Sequence, residues 1–245
     1  MKRGGQRLSG QRVVLTGATG GIGRAVADRL AQLGAALVLV ARRAEPLEKL
    51  AEDLGATAVA GDVTDEGFVE RLAAFVEDQW GDAPDVLINN AGAFTLSPIV
   101  ETEPAEVRRL LAVNLRAPFE LTKRFLPGML ARGSGHIVNV GSIAGRKPFR
   151  GNAAYSASKY GLRGLHEVLV EELRGTGLRA TWIEPSAVDT PLWEDLDPDS
   201  REDLPSRAEM LAPAAVADAI LFAVTRPPSV VVEELAIRSN VRSGS

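Results

Sequence analysis

The sequence predicts an α/β fold: a single domain built on a doubly wound, seven-stranded parallel sheet with helices on both faces. Three observations predict it. Short β-branched runs alternate with amphipathic stretches of helical period along the whole chain, the pattern of right-handed βαβ units. The runs Val13-Val14-Leu15 and Leu37-Val38-Leu39-Val40 are apolar on both faces, as strands between two helical layers must be. The first run also passes through a glycine-rich turn directly into a helical pattern.

Taken in order, the first strand is expected over residues 12–15 and the first helix, after the glycines, over 22–33. The valine- and leucine-rich 36–40 is the second strand, and the periodic 45–54 is the helix that returns from it. Strand 57–60 and helix 65–80 repeat the unit, followed by strand 86–89 and a long helix over 104–130. Strand 136–140, helix 154–173, strand 179–183, helix 213–225 and a last strand over 230–236 complete the sheet. Only 185–212 breaks the rhythm. It mixes Pro, Asp, Glu and Ser with Leu192, Trp193, Leu196, Leu204 and Met210. A connection of that length is usually a functional lid rather than a plain surface excursion, and it follows a strand's C-terminal end, where α/β folds hold ligands.

Composition narrows the classes. The 245 residues suit one domain with a substantial core, and the net charge of −4 gives no basis for binding nucleic acid or an anionic membrane. With no cysteine there are no disulfides or thiol chemistry, which suits a reducing cytoplasm. Met1-Lys2-Arg3 is not followed by a signal-type apolar stretch, and the longest apolar run, 35–41, falls far below the ~20 residues that span a bilayer. A cytoplasmic protein without a metal site is expected.

The turn Thr16-Gly17-Ala18-Thr19-Gly20-Gly21-Ile22-Gly23 points to a pyrophosphate. Glycines let backbone approach it closely, while the helix N-terminus supplies N–H groups and the positive end of a dipole. At the end of the second strand a carboxylate would hold a ribose 2′-hydroxyl, but the residues there are Ala41-Arg42-Arg43. Two guanidiniums suit a 2′-phosphate, so NADP(H) is preferred to NAD(H). Further on, Tyr155 and Lys159 lie four apart on one helix face. A free phenol, with a pKa near ~10, is a poor base at neutral pH, but a neighbouring ammonium favours its phenolate.

These motifs, with Asn89-Asn90-Ala91-Gly92, Asn114, Ser142, Tyr155-Ser156-Ala157-Ser158-Lys159 and Pro185-Ser186-Ala187-Val188-Asp189-Thr190-Pro191, stand in the order and spacing of the short-chain dehydrogenase/reductase family, which the chain resembles over essentially its whole length. The resemblance implies a Rossmann-type fold and hydride transfer between NADP(H) and a small-molecule carbonyl or secondary alcohol. It implies that Gly17, Thr19, Gly20, Gly21, Ile22 and Gly23 cradle the cofactor, that Asp62 and Val63 meet the adenine edge, and that Asn90, Ala91 and Gly92 border the adenosine ribose. Pro185, Val188 and Thr190 would meet the nicotinamide. Ser142 would hydrogen-bond the substrate oxygen, Tyr155 would pass the proton, and Lys159 would hold the nicotinamide ribose and depress the tyrosine pKa. Asn114 would hold a water that links Lys159 to solvent. Ser186 departs from the family, which usually has glycine there, and would strain the loop if that backbone required glycine.

The cavity walls are expected from Phe94 and Leu96, from 146–152 and from the lid, with Phe149, Trp193 and Met210 apolar and Arg146, Lys147 and Arg150 facing either an anionic group or solvent. Thr225-Arg226-Pro227-Pro228 and the run 230–237 resemble the subgroup of 3-hydroxy acid and serine dehydrogenases. The alternatives are a 3-oxoacyl-carrier-protein reductase and a non-catalytic NADP-binding regulator. Relatives pair the helices corresponding to 104–130 and 154–173, so a homotetramer is expected first and a dimer second; Leu110, Leu111, Phe119, Leu165 and Leu169 face either that interface or the core.

Overall fold

The computed structural model describes residues 8–241, so the N-terminal Met1-Lys2-Arg3 reading lies outside the described residues. Seven strands form one parallel sheet: β1 (Arg12–Thr16), β2 (Ala36–Ala41), β3 (Thr57–Ala60), β4 (Val86–Asn89), β5 (Gly135–Val140), β6 (Leu178–Pro185) and β7 (Glu234–Ile237). Their spatial order is β3-β2-β1-β4-β5-β6-β7. The chain winds one way from β1 to β3, returns to β4, and then winds the other way, which leaves a crevice beyond the C-terminal ends of β1 and β4.

The alternation of side chains along each strand divides the core into two layers. Val13 and Leu15, with Leu37, Leu39, Ile88 and Ile183, pack beneath α1 (Gly21–Gln32), α2 (Ala44–Leu54) and α7 (Pro213–Val224). Val14, Val38, Val40, Leu87 and Ile137 face the other way, beneath α3 (Glu66–Trp80), α5 (Ala117–Arg132) and the end of α6 (Ala153–Glu172). Each such fully buried aliphatic side chain contributes roughly 1.5–3 kcal/mol. The doubly wound parallel sheet expected from two-faced apolar strands is therefore the one observed.

Two elements differ from expectation. The stretch expected as one helix over 104–130 is α4 (Pro104–Leu111), a π turn (Ala112–Arg116) and then α5. The last strand begins at Glu234, not at residue 230, and runs to Ile237. Val230 and Val231 are exposed, and the approach is tied to β6 by single bonds, Thr181 Oγ1 to the Val232 carbonyl (2.7 Å) and the Trp182 N–H to that of Glu233 (2.8 Å). The β-branched run 230–232 is therefore a connector alongside β6 that leads into β7. No helix among the described residues is long and apolar enough to cross a membrane.

Candidate active site

The crevice is set by one hydroxyl. Thr16 Oγ1, at the end of β1, accepts the backbone N–H groups of Asn90 and Ala91, each at 3.0 Å, and reaches the Ile88 carbonyl at 3.3 Å. Asn90 Nδ2 returns bonds to the carbonyls of Thr16 (3.0 Å) and Gly17 (3.2 Å). Gly17 has φ +67°, and a Cβ there would lie 2.8 Å from Ala91 Cα. At Gly23 a Cβ would lie 2.1 Å from the Gly17 carbonyl oxygen, so only glycine lets α1 start this close to the turn.

Gly20 caps α1 without a side-chain bond, and the first turn (Gly21, Ile22, Gly23) carries no acid. An uncapped, acid-free helix start is chemically fitted to a diphosphate. Alongside, Arg42 follows β2 and Arg43 caps α2. Both are exposed, and their side chains make no ion pair or hydrogen bond among the described residues. Asp62, beyond β3, accepts from the Thr64 N–H (2.9 Å) and hydroxyl (2.8 Å), while Val63 is buried in the core. The donor set therefore fits the diphosphate of a nicotinamide dinucleotide, with two exposed guanidiniums beside the end of β2.

Across the crevice, Ser142 follows β5, and Tyr155 and Lys159 lie on α6. Ser142 and Tyr155 line the same cavity, and the Ser142 hydroxyl favours the Tyr155 phenolate. Burial pushes the phenol up to about 12, against the lowering effect of that hydroxyl. Lys159 Nζ donates to the Val140 carbonyl at 3.0 Å and lies 5.9 Å from the Tyr155 ring centroid; burial pushes its ammonium down to about 8. Loss of water around the phenol is the dominant influence on it. A protonated phenol, a hydroxyl beside it and a buried ammonium can together stabilise and protonate an oxyanion.

Asn114 sits in the π turn and is fully buried. Its Oδ1 accepts from the Ala93 N–H (2.9 Å), and its Nδ2 donates to the Ala93 carbonyl (2.8 Å) and Ser158 Oγ (2.9 Å). Ser158 in turn donates to the Tyr155 carbonyl at 2.7 Å. Both amide hydrogens are therefore used in joining the β4 loop to α6.

These residues open onto a cavity of about 530 Å³. Asn90, Gly92, Ser142, Tyr155, Lys159, Pro185, Val188 and Thr190 line its base. Phe94 meets Tyr155 edge-on with ring centroids 4.9 Å apart, and Trp193 lies 4.9 Å from Phe94, so an aromatic wall stands over the phenol. Leu192, Trp193, Leu204 and Pro205 close the cavity from the 185–212 segment. That segment folds as short 3₁₀ turns and is pinned at its base by the Val188–Leu211 bridge and an Arg207–Asp189 ion pair (2.5 Å).

Residues 11–201 match the family model for short chain dehydrogenases. The chain belongs to that family. It is 35% identical over 227 residues to an uncharacterised oxidoreductase of Staphylococcus epidermidis, covering 92% of this chain and 95% of that one. Among solved structures it is similar to a metagenomic short-chain oxidoreductase in complex with NADP, with a TM-score of 0.82, 34% identity and coverage of 96% and 99% of the two chains. It is also similar to serine dehydrogenase from Escherichia coli, with a TM-score of 0.82, 29% identity and coverage of 95% and 99%.

Within this short-chain dehydrogenase fold, two wall expectations need correction. Met210 is buried in the protein and does not line the cavity. Arg146 turns away from it to pair with Glu184 and Glu234, leaving Lys147 and Arg150 as the basic residues at the wall. Ser186 carries no left-handed backbone, since Asp197 is the sole non-glycine with positive φ among the described residues; its hydroxyl accepts the Ser239 N–H at 3.3 Å, so the serine is accommodated without strain. Sequence reasoning missed Thr16, Ser158 and Glu184, whereas Asn152, at the end of the expected 146–152 wall, is buried and lines the cavity. Thr16 lay inside the quoted glycine turn, and its position at a strand end was the available signal.

Proposed function

We propose that this chain is an NADP(H)-dependent oxidoreductase that interconverts a carbonyl and a secondary alcohol, with Tyr155 as the general acid and base. The observation that carries the reading is the convergence of Ser142, Tyr155 and Lys159, its Nζ held by the Val140 carbonyl, on the base of a largely apolar cavity. Gly17, Thr19–Gly23 and the start of α1 would hold the diphosphate, Arg42 and Arg43 the 2′-phosphate, and Asp62 and Val63 the adenine edge. Asn90, Ala91, Gly92, Lys159, Pro185, Val188 and Thr190 would border the two riboses and the nicotinamide. The bound nicotinamide supplies or accepts the hydride.

The protein's own part is placement and proton transfer. Ser142 and Tyr155 donate hydrogen bonds to the substrate oxygen, and these strengthen as negative charge grows on it. Tyr155 then releases its proton to that oxygen. Lys159, held by the Val140 carbonyl, stabilises the phenolate left behind. The segment 185–212 acts as the lid of this one-domain enzyme, excluding water from the reacting atoms.

Lys147 and Arg150, exposed at the cavity wall, support a substrate with an anionic group, and 3-hydroxy acids or related small carbonyls fit that chemistry. The same two cations support the second reading, a 3-oxoacyl-carrier-protein reductase; comparing turnover of 3-hydroxy acids with acetoacetyl thioesters separates them. A cytoplasmic homotetramer is the proposed form, with a dimer second. Phe119 on α5 and Val168 on α6 are exposed and suit such an interface, whereas Leu110 and Leu169 face the core. Light scattering on the purified protein measures the assembly.

The direct test is Tyr155→Phe, which should reduce turnover by roughly 10²–10⁴-fold while NADPH still binds. Activity retained in that variant would remove the proposed proton donor, and tight NADPH binding without turnover of any carbonyl by the wild type would favour a regulator. For cofactor choice, replacing Arg42 and Arg43 with alanine should weaken NADPH by roughly tenfold or more and NADH little, by calorimetry. Equal weakening of both cofactors would sink the 2′-phosphate assignment.

A further inference from the structure

Two walls of the cavity depend on one carboxylate that never touches it. Glu184, on β6 just before Pro185, is wholly buried. Its Oε2 accepts from Arg146 Nε (3.1 Å), Arg163 (2.9 Å) and Trp182 Nε1 (3.4 Å). Its Oε1 pairs with Arg238, whose second nitrogen donates to the Glu184 carbonyl at 2.5 Å. Glu234 completes the network by pairing with Arg146 and with Arg163 (3.1 Å). A carboxylate buried this fully is stable only while its partners stay in place, since an unpaired buried charge is strongly destabilising.

The partners come from the elements that shape the site. Arg146 ends the 3₁₀ turn Ile143–Gly145, which starts at Ser142. Arg238 directly follows β7 and precedes Ser239 and Val241, both of which line the cavity, as do Ser142, Ile143 and Ala144. Neither Glu184 nor any of its three arginines is a lining residue. The further ties of this wall to the end of β6 are the Ser186 N–H to Ile237 carbonyl bond (2.9 Å) and the weaker Ser239 N–H to Ser186 Oγ bond at 3.3 Å.

We propose that Glu184 is a positioning residue of the substrate cavity: through Arg146 and Arg238 it fixes the Ser142 turn and the 238–241 segment relative to each other. Arg163 anchors the same carboxylate to α6, the helix that carries Tyr155, so the clamp registers both hydrogen-bond donors against the wall opposite them. The proposal rests on the reading of this cavity as the substrate site. Loss of the clamp widens the cavity and loosens substrate binding, leaving the glycine turn and its cofactor contacts unaltered.

Glu184→Gln, which keeps the shape and removes the charge, and Arg238→Met test it in the full chain. Hydrogen–deuterium exchange should quicken in both 142–147 and 237–241, with β2 unchanged. With a turned-over carbonyl, KM should rise roughly tenfold while kcat stays within about twofold and NADPH affinity is unaltered; Arg238→Lys should recover part of the KM. Folded variants with unchanged exchange in both segments, or with lowered Tm but unmoved KM, overturn the clamp. If Glu184→Gln does not fold, Arg238→Met decides alone, because its side chain is partly exposed. If the wild type turns over no carbonyl, the functional reading fails by itself, and the exchange measurement still decides whether the clamp exists.

Discussion

Burial does opposite things to the two ionisable groups proposed for proton transfer. It holds Tyr155 protonated up to about 12 and makes Lys159 lose its proton from about 8. Within the working range the lysine is therefore the group that titrates. Reduction should hold level through neutrality and fall as pH passes about 8, where the ammonium that steadies the phenolate disappears. A kcat/KM profile for reduction checks this, and an unbroken plateau to pH about 10 would remove Lys159 from the step. The same shift has a sign for stability. Because the folded-state value lies below the ordinary 10.5, the unfolded chain holds more protons between about 8 and 10.5, and stability contributed by this site rises with pH across that window. Lys159→Met should accordingly melt no lower than the wild type at neutral pH while losing activity.

At the level of elements, the sequence made the sheet and six of its helical units readable because their patterns are local. Period-two and period-3.6 apolar spacing, two-faced strands such as Val13-Val14-Leu15, and glycine at a strand–helix turn all act within a few residues. The π turn at Ala112–Arg116 was not legible, since no local residue demands it. Its reason is distant: it carries Asn114 inward to meet Ala93 and Ser158. It also lets α4 bury Leu110 against Ala93 and Ala154 while α5 buries Leu121, Phe125 and Met129 in a different layer. Asn114→Ala should leave the Ala93 N–H and carbonyl buried without partners, destabilising the protein by about 2–4 kcal/mol in urea unfolding. A loss under about 0.5 kcal/mol would mean that these bonds are replaced by others.

For the molecule as a whole, the two ends of the sheet are specialised. The C-terminal ends hold the crevice and cavity, while the N-terminal ends are stitched by Arg12, which donates twice from its side chain to Asp85 (2.7 and 3.1 Å) and to the Trp80 carbonyl at 3.2 Å. Burial would raise the Asp85 carboxyl, but bonds from Arg12 hold it below its ordinary 3.8. A depressed carboxylate lends stability above that ordinary value and withdraws it as pH falls through the lower folded one. Asp85→Asn should therefore lower Tm at pH 7 and flatten its decline below pH about 4; parallel Tm curves for the two proteins would contradict this. The proposed site follows the same division of legibility. Tyr155, Lys159, Ser142 and the glycine turn stood out as spaced motifs, whereas Glu184 did not, because its arginines come from a turn, a helix and a strand end far apart in the chain.

The aromatic wall carries an optical consequence. Trp193 stands at the cavity with its indole against Phe94, whereas Trp182 is sealed in the core and Trp80 lies at the opposite end of the sheet. The emission of a single indole is thus placed where the proposed nicotinamide ring, which in its reduced form absorbs in that spectral range, would lie. Quenching that vanishes in Trp193→Phe would give this enzyme an intrinsic, label-free gauge of site occupancy and of lid position.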